Sequence, residues 1–307
     1  MNGPIRGIFP ALLTAYDEEG ELDSQLLSAV VGRLLTQGAQ GFFVCGTSAE
    51  FTALTLSERE AITELVLAEV TGQVPVAVHV SAPRVEDSIR LAQHAARRGA
   101  AAISTVPPYY YSPRTSTVLD YLREIASATD LPFYYYHIPG CTGQSLDTAL
   151  LDELLQLPNF VGLKFSDPNF VLFQQLKRHA GSDAQFVCGV DCMLLSSLLL
   201  GGEGAVGSTY NFLLPLFAKE WKAYARGELE TARSLQAQAN KLVLLLDDYP
   251  HIAAVKETLR ILDLDIGEPR PPLCRLHPDE KKELAGQLAD NGLWEVTGIA
   301  PMLSSVS

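Results

Sequence analysis

What most constrains this chain is an alternation. Short apolar, β-prone segments recur eight times, near Ile8–Thr14, Gly41–Cys45, Val74–Val80, Ala101–Val106, Phe133–Ile138, Val161–Phe165, Phe186–Val190 and Ala205–Ser208. Several are apolar at successive positions rather than at every second one, the pattern of strands covered on both faces. Helical patterns fall between them. One opens at Ser57, with Glu60 at capping-box spacing, and carries Ala61, Ile62, Leu65 and Val66 as a single stripe. Others cover Arg84–Arg98, Thr115–Ala128, Leu146–Leu155, Asn169–His179 and Met193–Leu200. Eight strands alternating with helices predict a parallel (β/α)8 TIM barrel. A doubly wound open sheet would usually carry a Gly-rich phosphate turn after its first strand, and none is present.

After about residue 212 the strand signal stops. Leu213–Arg226, Leu229–Asp247, Ile252–Leu262 and Asp279–Asn291 read as helices, and the link Pro269-Arg270-Pro271-Pro272 sets off the last. The expected organisation is therefore three-part. Residues 1–212 hold the barrel strands, most barrel helices and the active site. Residues 213–295 hold the last barrel helix and a C-terminal helical extension, an appendage on the barrel, and residues 296–307 form a tail.

Composition narrows the function classes. No apolar run reaches 18 residues, and Met1–Phe9 lacks a basic stretch followed by a long apolar one, so neither a membrane span nor a secretory signal is expected. Five scattered cysteines, an odd number, suggest reduced thiols in a cytoplasmic protein. Cys188 and Cys192 lie four apart with no partner at zinc-site spacing, so no metal is expected. A net charge of −13 offers no basic field for nucleic acid. A small anionic substrate remains compatible, since one or two local donors outweigh a distant field.

The chemistry should collect at the C-terminal ends of the strands. Lys164 stands out there, inside Phe160-Val161-Gly162-Leu163-Lys164-Phe165-Ser166. A lysine is rarely buried unless something pairs with it or uses it, and a neutral buried amine attacks carbonyls. The bland account is a side chain that snorkels out or holds a structural carboxylate. After the second strand, Gly46-Thr47-Ser48-Ala49-Glu50 puts two hydroxyls beside a glycine, suited to a carboxylate and equally to an ordinary turn. In Phe133-Tyr134-Tyr135-Tyr136-His137-Ile138-Pro139, period two sends Tyr134 and Tyr136 one way and Tyr135 the other. An inward Tyr136 would bring its hydroxyl near Lys164. Pro107-Pro108-Tyr109-Tyr110-Tyr111 reads as an exposed aromatic loop, suited to a pocket wall or a subunit contact.

In order and spacing together, Gly46–Glu50, Tyr136–Pro139 and Gly162–Lys164 resemble the class I pyruvate aldolase superfamily that contains N-acetylneuraminate lyase and dihydrodipicolinate synthase. The segments 135–139, 163–167 and 207–211 look most like the N-acetylneuraminate lyase branch, its animal-type members in particular. Cys141 stands where the synthase branch has an arginine. The resemblance implies that Lys164 forms a Schiff base with the substrate's C2 ketone, with no metal or organic cofactor. It implies that Thr47 and Ser48 hold the carboxylate, that Tyr136 moves the proton, and that Tyr110 supports it across a subunit interface of a homotetramer. Ser166, Gly189, Asp191, Cys192 and Ser208 would face the sugar. Two departures carry expectations of their own. Ala49 replaces a glycine, which strains the loop if that position needs positive φ. Cys192 replaces a glutamate that binds the sugar's hydroxyls, and a thiol is a weaker acceptor. The leading expectation is cleavage of N-acetylneuraminate to pyruvate and N-acetylmannosamine. The alternatives are an aldolase or hydratase-aldolase for another 2-keto-3-deoxy sugar acid, and a non-catalytic keto-acid or sugar-binding protein on the same scaffold.

Overall fold

Eight parallel strands wind into the barrel that the alternation predicts. The computed structural model describes residues 4–111 and 113–298. The strands are β1 (Gly7–Pro10), β2 (Phe42–Val44), β3 (Val76–His79), β4 (Ala102–Thr105), β5 (Phe133–His137), β6 (Phe160–Phe165), β7 (Gln185–Cys188) and β8 (Gly204–Gly207). They pair in sequence from β2 to β8, and β8 pairs with β1. The ring closes between β1 and β2 through a single parallel bridge, Ala11 to Phe43, and the Leu12 N–H donates to the Phe43 carbonyl at 2.9 Å.

Helices wrap the outside: α1 (Ser24–Thr36), α2 (Leu56–Val70), α3 (Val85–Arg98), α4 (Thr115–Ala126), the short α5 (Pro139–Thr142), α6 (Thr148–Leu155), α7 (Phe170–Ala180), α8 (Leu194–Leu199) and α9 (Tyr210–Ala225). The helix α1 has no counterpart among the expected segments. Asp23 caps it by accepting from the Leu26 N–H at 2.9 Å, and Leu27, Val30, Val31 and Leu34 form its buried stripe. The cap of α2 lies two residues before the expected Ser57. Thr55 accepts from the Glu58 N–H, and Glu58 accepts from the Thr55 N–H at 2.8 Å. Glu60 is instead turned outward to Arg90, which grips it with Nε at 2.8 Å and Nη2 at 2.7 Å. Of the expected stripe, Ile62 and Val66 are buried, Leu65 is half-buried and Ala61 is exposed.

Two apolar layers divide the protein. The outer one packs helices onto the barrel, and the inner one fills it with Phe9, Phe43, Ala77, Tyr134, Val187 and Val206 among others. Period two holds on β5: Tyr134 and Tyr136 join the inner layer, Tyr135 the outer. The Tyr134 hydroxyl donates to Gln185 and accepts from the Ile5 N–H at 3.2 Å, which ties off the barrel floor. In barrels of this kind the chemistry lies at the opposite, C-terminal mouth.

Beyond the barrel lie α10 (Leu229–Val243), α11 (His251–Ile261), α12 (Pro278–Asp290) and α13 (Leu293–Thr297). The expected helix at Leu229–Asp247 ends its α-helical part at Val243 and tightens into a 3-10 turn over Leu244–Asp248. The segment after α11 returns to the mouth. The Tyr16 N–H donates to the Ile266 carbonyl at 3.0 Å, and the Arg270 N–H to Glu50 Oε2 at 2.8 Å. The expected tail falls mostly on residues 299–307, outside the described residues. Among the described residues no helix is long and apolar enough to cross a membrane.

Candidate active site

Lys164 lies one residue from the end of β6 and is 3 % exposed. Its placement depends on a register shift. Phe133 pairs with Phe160, but Tyr134 pairs with Gly162, so Val161 is one residue extra on β6. Beyond it Tyr136 pairs with Lys164. Gly162 lets β6 and β7 approach closely there, since a Cβ would collide with the Gln185 carbonyl oxygen on β7.

Both bland accounts of Lys164 fail against this geometry. The side chain is buried rather than snorkelling, and it makes no ion pair among the described residues. Its Nζ stands 3.9 Å from the centroid of the Tyr136 ring and 4.1 Å from that of Phe43. The amine is thus held between two π faces, bonded to no carboxylate among the described residues, a position from which it can reach a carbonyl carbon in the mouth.

The Tyr136 hydroxyl meets Thr47 Oγ1 at 3.3 Å, joining β5 to the loop after β2. That loop turns tightly: the Ala49 N–H donates to the Gly46 carbonyl at 3.1 Å and the Glu50 N–H to that of Thr47 at 3.0 Å. Among the described residues the backbone N–H groups of Thr47 and Ser48 donate to no protein atom. Two N–H groups without a protein acceptor, beside two hydroxyls, are donors of the kind an anionic group requires. Ala49 does not carry positive φ. The left-handed positions are Cys45 (φ 56°) and Glu50 (φ 60°), so the strain expected at Ala49 is taken by its neighbours.

Across the mouth, Ser166 Oγ packs so closely on Gly189 that a Cβ there would collide with it. Asp191 lies over Gly207 in the same way. Its Oδ2 accepts from the Thr209 N–H at 2.9 Å and Oγ1 at 2.6 Å, and burial pushes the carboxyl up. Asp191 thus fixes the turn from β8 into α9. Ser208 Oγ meets His251 Nε2 at 2.7 Å. Cys192 is half-buried beside Asp191, with its thiol pushed up by burial and by that carboxylate. All five cysteines are free. Tyr110 stands apart from this cluster, 90 % exposed at φ 76°, its ring against Tyr111.

Several residues at the mouth were not singled out in the sequence. His79, at the end of β3, is fully buried, with its ring 5.7 Å from that of Tyr136. Burial and the charges of Arg59 and Lys164 hold its imidazole well below the usual range, hence neutral. A histidine closing an apolar strand is the same signal that marked Lys164. His251, and the pair of Glu50 with Lys256 at 2.8 Å, left no such signal, because helix polarity alone does not tell a mouth from solvent. A cavity of about 280 Å³ opens from Thr47 between Phe51, Tyr109, Ile138, Cys141 and Ile252.

The comparisons agree with this layout. The profile of the Dihydrodipicolinate synthetase family matches residues 4–291. The N-acetylneuraminate lyase of Rhizobium meliloti (strain 1021) is 33% identical over 290 residues, covering 94% of this chain and 96% of its own. That of Pongo abelii is 35% identical over 280 residues, covering 88% and 87%. Among solved structures, wild-type sialic acid aldolase from Ruminococcus gnavus superposes with a TM-score of 0.88 at 28% identity, over 94% of this chain and 98% of that one.

Proposed function

Since the chain belongs to the dihydrodipicolinate synthetase family, we propose that it is a Schiff-base aldolase that releases pyruvate from N-acetylneuraminate. The observation that carries this reading is the unpaired, buried Lys164 amine against the Tyr136 ring, with Tyr136 bonded to Thr47. In this reading the amine adds to the C2 ketone, water leaves, and a protonated imine forms. A base takes the C4 hydroxyl proton, the C3–C4 bond breaks, and its electron pair flows into the imine to give an enamine. The C4 fragment departs as the aldehyde, N-acetylmannosamine. Protonation at C3 and hydrolysis then free pyruvate and regenerate the amine. This sequence needs no metal or organic cofactor.

Tyr136 would carry the C4 proton, with Thr47, 3.3 Å from its hydroxyl, as the next hydroxyl in line. The free N–H groups of Thr47 and Ser48 would hold the carboxylate. Ser166, Gly189, Asp191, Cys192 and Ser208 would face the sugar. In a homotetramer, Tyr110 would support Tyr136 of a neighbouring copy.

The test is pyruvate release from N-acetylneuraminate, coupled to lactate dehydrogenase, for the wild type beside Lys164→Ala and Tyr110→Ala. The reading expects release that disappears in the first variant and drops in the second. Undiminished turnover by Tyr110→Ala would remove the intersubunit role alone. Cys192 favours one second reading, because a neutral thiol stands where the resemblance puts a carboxylate. Silence with N-acetylneuraminate and turnover of a shorter 2-keto-3-deoxy sugar acid would select it.

A further inference from the structure

We propose that His251 binds substrate together with Ser208 and sets specificity at the end remote from Lys164, by reading a hydroxyl of the tail. The inference rests on the aldolase reading above. His251 opens α11, in the part of the chain that sequence treats as an appendage. Its Nε2 meets Ser208 Oγ at 2.7 Å, directly after β8. Ser208 directly follows β8 and Lys164 lies one residue from the end of β6, so the imidazole bonded to Ser208 and the amine belong to the same C-terminal mouth of the barrel. The next residue, Ile252, lines the cavity that starts at Thr47.

The donors and acceptors at this mouth divide between two ends. Near Lys164, the Thr47 and Ser48 N–H groups suit a carboxylate. At the far end, Asp191 Oδ2 is already engaged by both Thr209 donors, and Cys192 offers only a neutral thiol. His251 Nδ1 makes no bond to any described residue, and Nε2 is hydrogen-bonded to Ser208 Oγ. An imidazole–hydroxyl pair both donates and accepts, as a sugar hydroxyl requires. It therefore supplies at β8 the acceptor that Cys192 lacks at β7.

The test compares wild type, His251→Ala and His251→Gln. Steady-state pyruvate release is measured from N-acetylneuraminate and from a six-carbon 2-keto-3-deoxy acid with a shorter tail. Pyruvate plus borohydride is run in parallel, because pyruvate has no tail to read. For the longer substrate His251→Ala should raise KM roughly 3–10-fold, the range of one lost hydrogen bond, with a smaller change in kcat. The short acid should be less affected, and His251→Gln, which keeps a donor and an acceptor, should recover part of the loss. Both variants should still trap pyruvate. Unchanged KM values, or equal losses on both substrates, would overturn the proposal. So would a wild type that traps pyruvate but turns over neither acid. A folded wild type that traps no pyruvate would overturn the aldolase reading instead.

Discussion

Lys164 and Glu220 are both buried ionisable side chains without a hydrogen-bonded counter-charge, and their surroundings give them opposite meanings. Lys164 faces the mouth, beside a hydroxyl network. Glu220 sits in α9 with both carboxylate oxygens unbonded, and burial pushes it up to about 8. Between pH 4.5 and 8 the folded protein keeps that proton and the unfolded chain gives it up. Stability is thus complete below the unfolded value and lost as pH rises through about 8. The loss from this group is on the order of 5 kcal/mol. Melting temperatures from pH 5 to 9 should fall less steeply in Glu220→Gln than in wild type; parallel curves would contradict this. The two residues differed in legibility for a plain reason. A charge inside a continuous apolar run is anomalous at once. Glu220 lies between Lys219 and Lys222 on a helix, where charges normally face water.

Among the elements, α11 and the link after it show what pattern alone could not convey. Both helix and Pro-rich link were visible as such, but not that they fold back across the β1 and β2 loops. Lys256 of α11 is buried and pairs with buried Glu50 at 2.8 Å, two residues after Ser48. Arg270 donates its N–H to Glu50 and pairs with Glu58 at 2.6 Å. These contacts hold Glu50 at positive φ, a local cost that the surroundings must offset. Lys256→Met would leave Glu50 charged and unpaired, and should lower stability by about 3–5 kcal/mol in denaturant titrations. Adding Glu50→Gln should return much of that loss. A double variant as weak as the single one would show that the pair itself does not hold the loop. The register of β5 against β6 was equally hidden. Period two set the faces of the tyrosines, but the extra residue at Val161 aligns Tyr136 with Lys164, and a lone bulge leaves no periodic trace.

At the scale of the whole molecule, the barrel was legible because eight repeats of one pattern leave few topologies open. The motifs at the strand ends then placed Lys164, Tyr136, Thr47, Ser48, Ser166, Gly189, Asp191 and Ser208 around one mouth, as the fold rule requires. What escaped the sequence came from closure, which brings His251 and Lys256 to loops some two hundred residues earlier or only forty away. Despite a net charge of −13, the mouth holds an amine and N–H groups without protein acceptors, so the anionic keto acid proposed above would meet local donors first. The central claim is that this amine forms the imine. The most direct measurement is incubation with pyruvate and borohydride, followed by peptide mass mapping of wild type and Lys164→Ala. The account predicts a reduced pyruvyl adduct on the peptide containing Lys164, and none in the variant. No adduct on folded wild type, or one formed equally on another lysine in the variant, would contradict it.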